Sequence, residues 1–198
     1  MKRIGLTGGP GMGKSTAGDW FRHRGFLVVE TDHIARDLVE PGQPALAEIR
    51  GAFGPEIIDG AGRLRRDALA RIVFEDEPAR RRLEAILHPR IRQNWIGQIE
   101  QARRQGIPGA VVDIPLLFET GAQSQFDLTI CIACSEALQQ SRLMARGWSL
   151  EEIQRRRAAQ WPIETKMNLA ACVVWNNASI EVLAAQLERA FSILTSSP

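Results

Sequence analysis

Residues 3–16 read RIGLTGGPGMGKST: an apolar run of strand length breaks into glycines, and a lysine with two hydroxyls opens a helical pattern. Gly8 through Ser15 satisfy G-x-x-x-x-G-K-[ST] between a predicted strand and a predicted helix, the context that gives this pattern meaning. Phosphate oxygens need several donors at once. Glycines let successive backbone N–H groups turn inward where a Cβ would obstruct both chain and ligand. A helix opening at Lys14 adds its positive end. The backbone of Gly11, Met12 and Gly13 lines such a loop, and Lys14 brings a mobile charge for the β- and γ-phosphates. The Ser15 hydroxyl is placed to ligate Mg²⁺, and Thr16 to reach the α-phosphate. The pattern predicts a nucleoside triphosphate and leaves the acceptor open.

Beyond this loop, short apolar runs alternate with longer helical patterns. RIGLT (3–7), FLVVE (26–30), GAVVDI (109–114), LTICIA (128–133) and CVVWN (172–176) read as buried strands. Helical patterns cover residues 15–24, 79–105, 136–146, 150–160 and 180–194. The alternation predicts an α/β fold with a mostly parallel sheet covered on both faces. The connection between the second and third strands is too long for a simple crossover. It contains PGQPALAEIRGAFG and DGAGRLRRDALARIVFED, and its Gly/Pro breaks predict a small helical lobe. A second, arginine-rich excursion runs from Arg142 to about Trp161, and the terminal TSSP reads as frayed.

The composition is that of an ordinary globular chain: 198 residues, 44% hydrophobic and 24% charged. A net charge of +2 argues for neither nucleic acid nor a membrane surface as partner. The clusters Arg80, Arg81, Arg82 and Arg155, Arg156, Arg157 read as solvated helix faces. The three cysteines read as reduced thiols. Cys131 and Cys134 form a C-x-x-C, but within a strand-like run and without a second pair, so they read as core thiols rather than a redox or metal site. The apolar start is cut short by glycines, unlike a signal peptide or a membrane span, and predicts a cytoplasmic protein.

Two carboxylates fall where strand ends meet a ligand crevice. Asp32 follows the second strand and suits a base that orients an acceptor hydroxyl; Asp113 closes the third and suits Mg²⁺. Both positions also suit a helix cap. Arg142 and Arg146, spaced i, i+4, are expected on one helix face, either as the arginines of a mobile lid or as solvated surface.

Together the segments IGLTGGPGMGKST, VVETDHIARDLVEPG, AFGPEIIDGAGRLRRDAL, LEAILHPRI, VVDIPLLFE and SRLMARGWSLEEIQRRRAAQ resemble the dephospho-coenzyme A kinase family along almost the whole chain. The resemblance implies a P-loop kinase-type three-layer fold. Within one domain spanning 1–198, it implies a nucleotide core at about 1–40, 106–138 and 170–198, an acceptor-binding lobe at about 41–105 and a lid at about 139–169. It implies transfer of the ATP γ-phosphate to the ribose 3′-hydroxyl of dephospho-CoA, the last step of CoA synthesis, with Mg²⁺ as cofactor. ATP and dephospho-CoA are then the partners of a monomer or weak homo-oligomer. Asp32 becomes the general base, Arg142 the lid arginine and Arg146 a further basic lid position. Arg66 and His88 match positions in the acceptor-side lobe, and Asn176 the asparagine near the adenine. Read without the resemblance, His88 before Pro89 is a core or helix-breaking histidine. The chain departs from the family pattern with Glu30 in Glu30-Thr31-Asp32, with Ala171 at a usually acidic position and with Ala178 at a usual glycine.

Another P-loop small-molecule kinase would share the phosphate chemistry with a different acceptor. A GTP switch is disfavoured: Asp59-Gly60-Ala61-Gly62 fits D-x-x-G, but the chain has no N-K-x-D segment to read guanine.

Overall fold

A computed structural model describes residues 1–196, apart from the side chains of Glu75 and residues 194–196. Thr195 and Ser196 of TSSP continue the last helix, while Ser197 and Pro198 lie outside the described residues. The chain divides into two compact units, one of Met1–Val29 with Gln101 onward, the other Glu30–Glu100.

The first unit is built on strands β1 (Lys2–Thr7), β2 (Leu27–Glu30), β3 (Gly109–Asp113), β4 (Leu128–Ala133) and β5 (Cys172–Trp175), in the order β2-β3-β1-β4-β5. β1 pairs in parallel with β3 and β4, and β4 in parallel with β5. This is an α/β sheet of the P-loop kinase type. With β1 at its centre, the loop that leaves β1 emerges in the middle of the sheet's carboxyl edge, the ligand edge of such sheets.

Alternation along the strands sorts the two faces. Ile4 and Leu6 of β1, Val111 of β3, Ile130 and Ile132 of β4 and Val174 of β5 form one core with helices α1 (Lys14–Arg22) and α9 (Ile180–Ser196). Phe21 of α1 stacks there with Phe26 and Phe191, at centroid distances of 5.6 and 6.5 Å. Gly5 faces the other way, where a β-carbon would come within 2.9 Å of the Phe126 ring. Helices α6 (Glu136–Met144), α7 (Leu150–Ala158) and α8 (Ile163–Leu169) complete this unit, and α8 contacts β4. α8 is absent from the sequence expectations. Both α6 and α7 start with a serine cap, Ser135 accepting from Leu138 N and Ser149 from Glu152 N. At the edge strand β5, the Gln186 amide bonds both the N–H and the carbonyl of Trp175, at 2.9 and 3.0 Å, which blunts the open edge.

The second unit is helical: α2 (Thr31–Asp37), α3 (Pro44–Phe53), α4 (Arg66–Glu75) and most of α5 (Glu77–Arg104), whose last residues belong to the first unit. Its core gathers Val39, Ala45, Leu46, Ile49, Ile57, Leu69 and Ile86. α5 runs straight through Pro89, so His88 is neither a helix breaker nor a core residue; it sits half-buried in the helix. Asp59 accepts from Ala61 N and Arg63 N, both at 2.9 Å, and from Arg63 Nε. These bonds, the backbone one from Arg63 foremost, hold its carboxyl below the usual range and make the D-x-x-G a side-chain-closed turn.

Cys131 and Cys134 are both buried, and burial pushes the Cys131 thiol up to about 11 from 9.0. Neither thiol is expected to react with a thiol reagent at pH 8 until the protein unfolds; fast modification of the native protein would contradict this burial. Because the folded thiol is raised above its unfolded value, its contribution to stability is complete below pH 9 and fades as pH rises toward 11.

Candidate active site

Between the end of β1 at Thr7 and the start of α1 at Lys14 lies the glycine loop. Gly13 caps α1 with φ 102°, no side chain caps that helix, and no acidic residue stands in its first turn. The leading N–H groups of a helix have no intrahelical acceptor. This end therefore presents donors and positive potential to an anion.

The loop's carbonyls are held from outside. Asn176 Nδ2 donates to the Met12 carbonyl at 2.9 Å, and Gln139 Nε2 to the Pro10 carbonyl at 2.9 Å. Lys14 Nζ reaches back to the Gly9 carbonyl at 3.3 Å. Asn176 and Gln139 are both buried. Glycine is obligatory at two points: a β-carbon on Gly13 would fall 2.0 Å from Asn176 Nδ2, and one on Gly8 2.2 Å from the Ile132 carbonyl oxygen. Met12 tucks its side chain beneath the loop, where Sδ accepts the Gly9 N–H at 3.2 Å. Ser15 is exposed and Thr16 half-buried in the first turn of α1.

Arg142 comes to the same place from α6. Its Nη1 is buried without a hydrogen-bond partner and lies 4.0 Å from where a Gly13 β-carbon would stand. Burial raises the Cys134 thiol pKa, and the charge of the Arg142 guanidinium acts against that shift. A buried cationic donor with no acceptor is costly unless an anion completes it. The open end of α1 and the Arg142 guanidinium thus meet beside Gly13, while Lys14 Nζ lies against the Gly9 carbonyl of the same loop.

Arg146 departs from the expectation of a shared helix face. α6 ends at Met144 because Gly147, at φ 86°, turns the chain and Trp148 N returns to the Leu143 carbonyl at 3.2 Å. Arg146 lies in that closing turn, exposed. Arg157 keeps a partly solvated side chain, ion-paired with the exposed Glu136, and also lines a cleft of about 400 Å³ that borders Gly9, Met12, Gln139, Trp161 and Lys166.

Asp113 closes β3, is 9% exposed and stands opposite Leu6 of β1. In the second unit, Asp32 lies exposed in the first turn of α2, whose N-cap is Glu30, so Asp32 is not the cap. Arg66 opens α4 with an exposed ion pair to Glu40 at 3.8 Å, and His88 sits midway along α5.

The family model of dephospho-CoA kinase matches residues 2–181. The chain belongs to the dephospho-CoA kinase family. A dephospho-CoA kinase of Corynebacterium efficiens is 42% identical over 190 residues, covering 96% of this chain and 95% of that one. A solved structure from Thermus thermophilus shares 37% identity at a TM-score of 0.84, with 98% of both chains covered. A dephospho-CoA kinase from Campylobacter jejuni shares 27% at a TM-score of 0.69, over 97% of this chain and 96% of that one.

In this member of the dephospho-CoA kinase family, sequence reasoning missed Gln139 and Lys166. Gln139 is one turn before Arg142 on α6, four residues from buried Leu143, so its helix position was the available signal. Lys166 is 1% exposed. Burial pushes its ammonium below the usual lysine range, with the Glu119 carboxylate acting against that shift.

Asn176→Leu leaves the Met12 carbonyl facing an apolar side chain. It is expected to cost about 1–3 kcal/mol in chemical denaturation; an unchanged midpoint and slope would remove Asn176 as the anchor of the loop.

Proposed function

We propose that this chain transfers the γ-phosphate of ATP to the ribose 3′-hydroxyl of dephospho-CoA, giving CoA and ADP, the last step of CoA synthesis. The observation that carries the phosphate chemistry is the uncapped end of α1 with the buried, unpartnered Arg142 Nη1 beside Gly13, and Lys14 on the same loop. Family membership over residues 2–181 carries the acceptor.

In this reading the backbone of Gly11, Met12 and Gly13 cradles the phosphates, with the Ser15 and Thr16 hydroxyls in reach. Lys14 and Arg142 carry charge to the transferring group, where fixed donors act on charge as it develops. Arg146 joins them when the segment 139–169 closes as a lid and excludes water. Asn176 serves the nucleotide by fixing the loop that holds it. Asp32 takes the proton of the acceptor hydroxyl, and Arg66 and His88 bind the acceptor. Mg²⁺ bound with a nucleotide keeps several waters and takes phosphate oxygens with one or two protein oxygens. Ser15 and the buried Asp113 are the protein oxygens that would hold Mg²⁺. When bound, the ion neutralises phosphate charge. The reading is of a cytoplasmic enzyme working as a monomer or weak homo-oligomer on small molecules; among the described residues no helix is long and apolar enough to cross a membrane.

ADP release measured with ATP and Mg²⁺ is expected with dephospho-CoA and not with shikimate, gluconate or nucleoside monophosphates. Turnover of one of these in place of dephospho-CoA would overturn the assignment of the acceptor. Lys14→Ala is expected to lower kcat by about 10²–10³-fold. Asp32→Asn should lower kcat while ATP affinity holds; a near-wild-type rate would remove Asp32 as the base.

A further inference from the structure

Lys166 sits on α8 with its ammonium sealed from solvent, yet all its donors are used. Nζ donates to the Pro115 carbonyl at 2.6 Å, to Glu119 Oε1 at 2.8 Å and to Gln160 Oε1 at 3.2 Å. Two of these acceptors hold a second bond. The Pro115 carbonyl also accepts from Thr7 Oγ1 at 3.2 Å, and Thr7 is the last residue of β1 before the phosphate loop. Glu119 Oε1 also accepts from Trp161 N at 2.9 Å. Gln160 and Trp161 form the connection between α7 and α8. One buried cation therefore joins the root of the phosphate loop, the segment after Asp113 and the base of the arginine-rich excursion that carries Arg157.

A buried ion pair is a poor source of stability. A well-packed neutral pair is often as stable, whereas removing one partner leaves an uncompensated charge. Lys166 also borders the cleft beside Gly9 and Met12, and all its donors are taken by protein acceptors. We infer that Lys166, with Glu119 as its counter-ion, is a positioning residue for phosphoryl transfer: it sets the α7–α8 connection, and with it the arginine-rich segment, in register with the phosphate loop. This rests on the kinase reading above. Displacing reacting partners by about 1 Å can cost about 10²-fold in rate, so loss of the tie should appear in turnover more than in folding.

The test separates positioning from stability. Lys166→Met is expected to lower both the melting temperature and kcat with dephospho-CoA, kcat by at least about tenfold. Lys166→Met with Glu119→Gln removes the stranded charge and keeps an acceptor for Trp161 N. It should recover most of the melting temperature while kcat stays low and ATP affinity stays near wild type. Recovery of kcat together with the melting temperature would overturn the inference and make the pair purely structural. If Lys166→Met yields no folded protein, the double variant against wild type makes the same decision. Amide exchange over residues 157–163 gives an arm independent of the acceptor. It should quicken in the double variant, and unchanged exchange would overturn the inference even if wild type proved inactive on dephospho-CoA, a result that would instead defeat the proposed function.

Discussion

The hydrogen bond from Asn176 Nδ2 to the Met12 carbonyl is the constraint on which the phosphate loop depends. A backbone that offers its N–H groups to an anion must put its carbonyls somewhere, and buried carbonyls without partners are costly. Here the carbonyls are turned outward and met by side chains: Asn176 from the end of β5, Gln139 from α6 and Lys14 from the loop's own far end. The amide of Asn176 also occupies the space a β-carbon at Gly13 would need, so the glycine and the asparagine require each other.

The sheet supplies what fixes that bond. Asn176 N donates to the Ala133 carbonyl at 2.7 Å, and Ser135 N bonds Asn177 Oδ1 at 2.8 Å, so the carboxyl ends of β4 and β5 are laced together just where α6 begins. α6 then presents Gln139 to Pro10, Leu143 against Gly11 and Arg142 toward Gly13 from successive turns. Core packing of Ile4, Leu6, Phe21 and Leu187 holds β1, α1 and α9 together. The loop is thereby tied to the sheet, to α6 and to the core by these bonds and contacts.

Much of this was legible in the residues. The central strands read correctly because runs such as AVV and LTICIA are apolar on both faces, as a central parallel sheet requires, whereas β5, also read as buried, is an edge strand that exposes Val173 and Trp175. The glycine loop between β1 and α1 read correctly in its placement because its signature is local. What escaped was non-local. Gln139 and Lys166 are polar residues that composition assigns to the surface, and partners distant in sequence, the Pro10 carbonyl for Gln139 and the Pro115 carbonyl and Glu119 carboxylate for Lys166, make their burial tolerable. α8 escaped because IETKMNL is short and turns a cation, not an apolar stripe, inward. The end of α6 was fixed by Gly147, which carried Arg146 off the face of Arg142. Pro89 removes one helical N–H, yet α5 continues through it, with Arg90 bonded at 2.6 Å to both the Ile86 carbonyl and Glu48.

The central claim is that a triphosphate held by this loop gives its terminal phosphoryl group to one hydroxyl of dephospho-CoA. Phosphorus NMR of a reaction of the protein with ATP, Mg²⁺ and dephospho-CoA reads that outcome directly. The account predicts a new phosphomonoester resonance coupled to the ribose 3′ proton, growing in step with ADP. ADP appearing with inorganic phosphate alone, or an ester at another hydroxyl, would contradict it.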